Sequence, residues 1–222
     1  MVLYSYCIPV DDGAAPNPFW GTCTLAICKP VIRRLAKRGD WIVATGSKKY
    51  GLDNYLVYAM KVSDSLSFSQ YYVLCNNDLQ LKKKIPNWNS KDIKRKVGDC
   101  IYDFSSSPFK QIKGVHNLDN IERDLGGKRV LLSNHFYYFG SAPIKLPDNL
   151  LPIVRQGQGH KSKANANYVE AFVNWIDTLP QYRNKVNALP YGFDFWQTDD
   201  CIIKCSQRHI SEDDEDERLG DC

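Results

Sequence analysis

Apolar and polar positions alternate over Leu3–Pro9, and a period of two in a β-prone stretch predicts a strand. Farther on the period changes. After Pro30, a residue suited to the first turn of a helix, Val31, Ile32, Leu35 and Ala36 fall on one helical face, which predicts a helix to about Lys37, stopped by Gly39 and Asp40. Two β-rich runs follow, Trp41–Thr45 and Tyr55–Val62, separated by a turn-rich basic loop over Gly46–Asn54. Polar and aromatic residues alternate from Asp64 to Tyr72, and Leu79–Lys96 reads as a basic loop. A short helix over Ile121–Leu125, ended by Gly126 and Gly127, leads to a strand over Arg129–Ser133. The strongest helical pattern runs from Ala164 to Leu179, where Val169, Phe172, Val173, Ile176 and Leu179 form a core-facing stripe. A further strand is expected at Cys201–Cys205.

Between the first strand and the first helix lies the least scaffold-like segment, DDGAAPNPFWGTCTLAICKPVIRR, from Asp11 to Arg34. Gly13, Pro16, Asn17, Pro18 and Gly21 impose irregular backbone there, and irregular backbone on a rigid scaffold is where binding chemistry concentrates. With 222 residues the chain can bury one sizeable core, and residues 1–210 read as a single domain followed by a tail, 211–222. That tail carries seven acids against Arg218 and is net −6, so the preceding 210 residues are net +10. A basic body fits a polyanionic partner, and an acidic, disordered tail fits a competitor for the same surface. No apolar run approaches the roughly 20 residues of a membrane helix, and the N-terminus lacks the pattern of a signal peptide, so a cytoplasmic protein with no membrane partner is expected.

Candidate chemistry is distributed over three segments. Eight cysteines without a secretory signal are expected to be reduced, and their spacings include no CxxC pair, so no metal site is expected. In the first segment Cys23, Thr24, Cys28, Lys29 and Arg33 combine thiols with cations near a helix start, where a thiol is more easily ionised. In the second, SNHFYYFG, Ser133, Asn134 and His135 stand beside four aromatics; the histidine reads equally as a base-edge contact or as a packed core residue. The third, RQGQGHKS, places Arg155, His160 and Lys161 among glycines before a helix, an arrangement suited to an anion. It lacks the GxxxxGK[ST] spacing of a nucleoside triphosphatase loop. His116 and His209 fall in loops without a local pattern, and no motif specifies a cofactor.

The run YSYCIPVDDGAAPNPFWGTCTLAICKPVIRR, followed by GDWIVATGS, resembles the nucleotide modification associated domain of the second type, found in phages and bacteria among genes for DNA base hypermodification and restriction. SNHFYYFG and GQGHKS with Asn165 are compatible with it, and the resemblance covers about Val2–Leu179. It implies binding or processing of a modified or modifiable nucleotide or DNA base in a bacterial cell or phage-infected host, with proteins of a modification system as further partners. A catalyst and a non-catalytic modified-base reader or counter-defence partner both remain open. The matched positions are Asp12, Gly13, Pro16, Asn17, Pro18, Phe19, Gly21, Cys23, Thr24, Cys28, Lys29, Pro30 and Arg33.

On this reading Lys29, Arg33, Arg155 and Lys161 meet phosphate, with Thr24 and Asn165 beside them. Asn17, Asn134 and His135 read base edges, and Phe19, Trp20, Phe136 or Tyr138 stack. A catalyst would use Cys23 or Asp12, with His135 or His160 moving protons. The order of a basic helix, GDWIV and YLVYAMKV is also similar to PUA-like barrels such as EVE and ASCH domains. The expected fold is therefore α+β, a mainly antiparallel PUA-like barrel or curled sheet with flanking helices.

Overall fold

The alternating stretch that opens the chain becomes a strand buried on both faces, and the layers of the fold stack on either side of it. In the computed structural model, which describes residues 1–195, the elements run β1 (Leu3–Cys7), β2 (Cys23–Leu25), α1 (Pro30–Leu35), β3 (Trp41–Thr45), β4 (Tyr55–Lys61), β5 (Asp64–Leu66), α2 (Phe68–Asn77), α3 (Ile93–Lys96), β6 (Tyr102–Asp103), β7 (Lys110–Gln111), α4 (Ile121–Gly126), β8 (Val130–Ser133), β9 (His135–Tyr138), β10 (Ile144–Lys145), β11 (His160–Lys161) and α5 (Val169–Ile176). The strand expected at Cys201–Cys205, His209 and the acidic tail lie outside the described residues. No described helix is long and apolar enough to cross a membrane.

β1 pairs parallel with β3 and antiparallel with β11, while β4 pairs antiparallel with β3. The other edge of β4 is shared by β9, opposite residues 58–61, and β10, opposite residues 55–56. A second, antiparallel sheet has the order β2-β8-β5, and β6 and β7 form a separate pair. The architecture is α+β and mostly antiparallel, with one mixed sheet. The expected PUA-like barrel does not close among the described residues. The six-stranded sheet runs open from β9 and β10 to β11, and two-residue edge strands such as β10 and β11 give too short a ladder to join.

Strand alternation assigns each side chain to a layer. Tyr4, Tyr6, Ile42, Ala44, Tyr58, Met60, Phe136 and Tyr138 pack against Cys23, Leu25 and Leu131 of the second sheet and Ile32 and Ala36 near α1. On the opposite face Leu3, Trp41, Val43, Ala59, Tyr137 and Phe139 pack against Leu150, Ile153 and the α5 residues Phe172 and Ile176. The helix expected from Ala164 begins as 3-10 turns over Lys163–Tyr168 and becomes α-helical only at Val169. Asn165 turns inward in those turns and donates to the Leu3 carbonyl and Ser5 Oγ, each at 2.9 Å, tying the segment to β1.

The third core lies beyond the second sheet, under α2. That helix starts with a reciprocal capping box, in which Ser67 Oγ accepts from the Gln70 N–H and Gln70 Oε1 accepts from the Ser67 N–H. Lys84, in the stretch read as a basic loop, is fully buried here, in a 3-10 turn over Leu81–Lys84. Its ammonium donates to the Asn17 carbonyl (3.0 Å), Asn17 Oδ1 (2.8 Å) and Thr24 Oγ1 (2.9 Å). Thr24 Oγ1 in turn donates to Asp99 Oδ2, and Asp99 Oδ1 accepts from the Tyr71 hydroxyl. This network fixes the irregular loop of residues 11–22 from below.

A second buried cation fixes the start of α1. Arg33 is fully buried and donates to the carbonyls of Cys28 (2.6 Å), Asp124 (2.6 Å) and Arg129 (2.8 Å). It thereby clamps the turn before α1 onto the end of α4. A Cβ on Gly127 would stand 2.3 Å from the Arg33 Cζ, whereas a Cβ on Gly126 would meet nothing within 4 Å. Gly127→Ala is therefore expected to cost about 1–3 kcal/mol by overpacking an immobilised guanidinium. Gly126→Ala should cost less, a difference read from urea midpoints of the two variants.

Candidate functional site

The clamp holds Cys28 and Lys29 in the left-handed region, at φ 59° and 44°. Such backbone costs a non-glycine residue about 1–3 kcal/mol and persists only where its surroundings over-determine it. Here the Cys28 carbonyl is bound by Arg33, and the Cys28 N–H donates to Asp124 Oδ1 at 3.0 Å. The result is a half-buried thiol fixed at the turn into α1.

His116, whose loop shows no sequence pattern, lies against that thiol, with Nε2 3.3 Å from Cys28 Sγ. Its other ring nitrogen, Nδ1, is 2.6 Å from Asp124 Oδ2, which also accepts from the Tyr102 hydroxyl at 2.9 Å. Thiol, imidazole and carboxylate form one line from a half-exposed to a buried position. Burial alone would lower the His116 pKa, but Asp124 and Cys28 outweigh it and raise it to about 10. Burial would raise that of Asp124, but His116 and Arg33 hold it below the usual carboxylate range. The acid on one side and the thiol on the other thus both favour the protonated ring.

Lys29 also lines a cavity of about 360 Å³ at the carboxyl ends of the parallel strands β1 and β3. Its walls come from Cys7 and Pro9 after β1, Gly46–Lys48 and Asp53 after β3, and Arg155–Gln158 before β11. Arg155 Nε donates to the Gln158 carbonyl at 2.7 Å, folding RQGQ into a turn, and Gly157 takes the positive φ of 88° that the turn requires. The Lys29 ammonium sits 4.7 Å from the Tyr6 ring centroid, and the Tyr6 hydroxyl is 2.8 Å from that of Tyr58. Beside them Asp11 accepts from the Tyr138 hydroxyl, and burial, only partly offset by that bond, raises its pKa to about 7.

The sequence-selected residues do not converge on one place. Lys29 and Arg155 line the cavity, and His160, buried on β11, pairs with Tyr6 nearby. Lys161 donates to the Pro152 carbonyl at 2.8 Å, and Arg33, Thr24, Asn17 and Asn165 belong to the buried hydrogen-bond systems described above. Cys23 is fully buried on β2 against Met60, and burial pushes its thiol up to about 12. Asp12 accepts from the Ala14 N–H through one oxygen, while its buried Oδ2 has no partner among the described residues.

Asn134 and His135 stand at the Trp41 end of the sheet, opposite to the cavity, with the imidazole 5.3 Å from the Trp41 ring. Phe19 is buried between Trp20 and Phe193, and Trp20 lines a separate cleft with Lys94 and Phe136. The pair that sequence reasoning missed is His116 and Asp124. Neither had a local signal: His116 is 88 residues from Cys28, and Asp124 is 96.

The Asp11 shift gives a test of this interior. Its folded pKa is raised above the unfolded value near 3.8, so its contribution to stability is full below about pH 4 and is lost as pH rises toward 7. Relative to Asp11→Asn, the wild-type chain should lose stability between pH 4 and 7 and change little above that. Urea midpoints of both proteins across this range would show a constant difference if the carboxyl titrated normally.

The chain matches no curated protein and no solved structure. Residues 1–198 match the family model described as nucleotide modification associated domain 2, and the loop of residues 11–34, the clamp on Cys28 and the cavity all fall inside that span. The protein belongs to the nucleotide modification associated domain 2 family.

Proposed function

We propose that this protein binds a nucleotide with a modified or modifiable base, seating its phosphate in the cavity at the ends of β1 and β3. The observation that carries this reading is the convergence of Lys29, Lys48 and Arg155, from three separate segments, on one glycine-lined cavity. Cations on a pocket wall supply charge-assisted hydrogen bonds to phosphate oxygens, and Gly157, where a side chain would meet nothing within 4 Å, leaves the main chain there open to a ligand. Asp53, the acid in the lining, is suited to accept from a sugar hydroxyl. A volume near 360 Å³ falls in the range of small-molecule pockets, and the carboxyl ends of parallel strands are where open sheets containing them bind ligands. Family membership supplies the association with nucleotide modification.

Calorimetric titration with deoxynucleoside 5′-monophosphates, the matching nucleosides and inorganic phosphate tests the reading. The monophosphates should bind at least about 10-fold more tightly than the nucleosides, because each charge-assisted bond is worth about 1.5–3 kcal/mol. Arg155→Ala with Lys48→Ala should remove most of that difference. Equal affinities for nucleoside and monophosphate, or no binding of any of these probes, would overturn it.

A further inference from the structure

We propose that Cys28 is a catalytic nucleophile and His116 its proton carrier, that Asp124 positions the imidazole, and that the group attacked is an acyl carbon, an ester or amide carried by the nucleotide. The nucleophile is inferred from the geometry of these three residues alone; attaching the acyl group to a nucleotide rests on the proposed function.

Three observations support it. A nucleophile within reach of a base, which is in turn oriented by a third group, is the arrangement that activates thiols and hydroxyls, and here the two contacts are 3.3 and 2.6 Å. Second, Cys28 differs from the other thiols of the core. Cys23, Cys75 and Cys100 are buried, and burial, with the neighbouring Cys75 for Cys100, pushes Cys23 and Cys100 up. Cys28 and Cys7 are both half-exposed, but Cys7 Sγ donates to the Gly46 carbonyl at 3.6 Å, whereas Cys28 Sγ faces the His116 imidazole, the setting that favours a thiolate. Third, the left-handed turn at Cys28 and Lys29 is clamped by Arg33 and Asp124, so strained backbone is held at the thiol itself.

The acyl class rests on the position of His116 Nε2, 3.3 Å from the thiol, where it is placed to give a proton to a leaving group and take one from water. In acyl transfer the thiolate electron pair forms an S–C bond to the carbonyl carbon, and the C–O or C–N bond to the leaving group breaks. The departing alcohol or amine takes that electron pair together with the His116 proton. Water then attacks the thioester, its proton passes to His116, and the C–S bond breaks to regenerate the thiolate and release a carboxylic acid. A leaving amine or alcohol needs a proton on its own nitrogen or oxygen as its bond to the carbon breaks, and His116, 3.3 Å from the attacking sulfur, is placed to deliver it.

Two measurements on the full chain test this without any nucleotide. The first is the rate of iodoacetamide alkylation of Cys28, mapped by mass spectrometry between pH 6 and 8.5. An ordinary thiol slows on the order of 100-fold over that interval because its thiolate disappears. Cys28 should slow only a few-fold, and His116→Gln should restore the ordinary dependence. The second is p-nitrophenyl acetate, which should give a burst of about one equivalent with the acetyl group on Cys28, abolished by Cys28→Ser and slowed at least about 10-fold by His116→Gln. Circular dichroism and thermal melts of each variant separate lost chemistry from lost folding. Cys28→Ser, which keeps the N–H bond to Asp124, serves as the folded control.

An ordinary pH dependence for Cys28, or acetylation indifferent to His116, would overturn the proposal. Failure of nucleotide binding would leave both results standing and overturn the reading of the cavity and, with it, the attachment of the acyl group to a nucleotide.

Discussion

One buried carboxylate organises this protein. Asp124 accepts from the Cys28 N–H, from His116 Nδ1 and from the Tyr102 hydroxyl, and its own carbonyl accepts from Arg33. Three segments, the turn into α1 at residues 28–33, the strand at Tyr102 and the loop at His116, are therefore pinned to one residue of α4. An ionised carboxylate removed from water is tolerated only when such partners replace its hydration, and here three of the contacts at Asp124 also act at the turn before α1. The N–H bond fixes the strained thiol turn, the imidazole contact fixes a cation beside the thiol, and the guanidinium locks α1 to α4.

Lys84 follows the same rule at the other end of the second sheet. Its ammonium has three acceptors on the loop of residues 11–24, so the cost of burying it is met by fixing the one segment whose composition rules out a regular ladder. Between these two cations the loop and the start of α1 have little conformational freedom. The cavity beside them is built differently, from loops at strand ends, with exposed Lys48 and half-exposed Arg155 able to meet a ligand.

Much of the scaffold was legible in the sequence because it obeys local rules. Period-two alternation gave β1 and two β-rich runs gave β3 and β4, each nearly to the residue, Pro30 gave the start of α1, and the glycine pair at 126–127 gave the end of α4. The capping box at Ser67 and Gln70 was an available signal for α2, obscured by the alternation of polar and aromatic residues from Asp64 to Tyr72. Three things had no local signal. Sheet closure depends on two-residue edge strands, the burial of Lys84 depends on acceptors 60 and 67 residues away, and the pairing of Cys28 with His116 and Asp124 exists only in three dimensions. Cys23 and Cys28 looked alike in sequence. Strand alternation turns the first into the core, and the left-handed turn keeps the second half-exposed.

The central claim is that Asp124 holds His116 as an imidazolium against the Cys28 thiol. The most direct measurement is the ¹⁵N spectrum of the His116 ring in histidine-labelled protein at pH 8. The account predicts both ring nitrogens protonated at that pH, where a free histidine is almost wholly neutral. A neutral ring that titrates near 6.5 would contradict it.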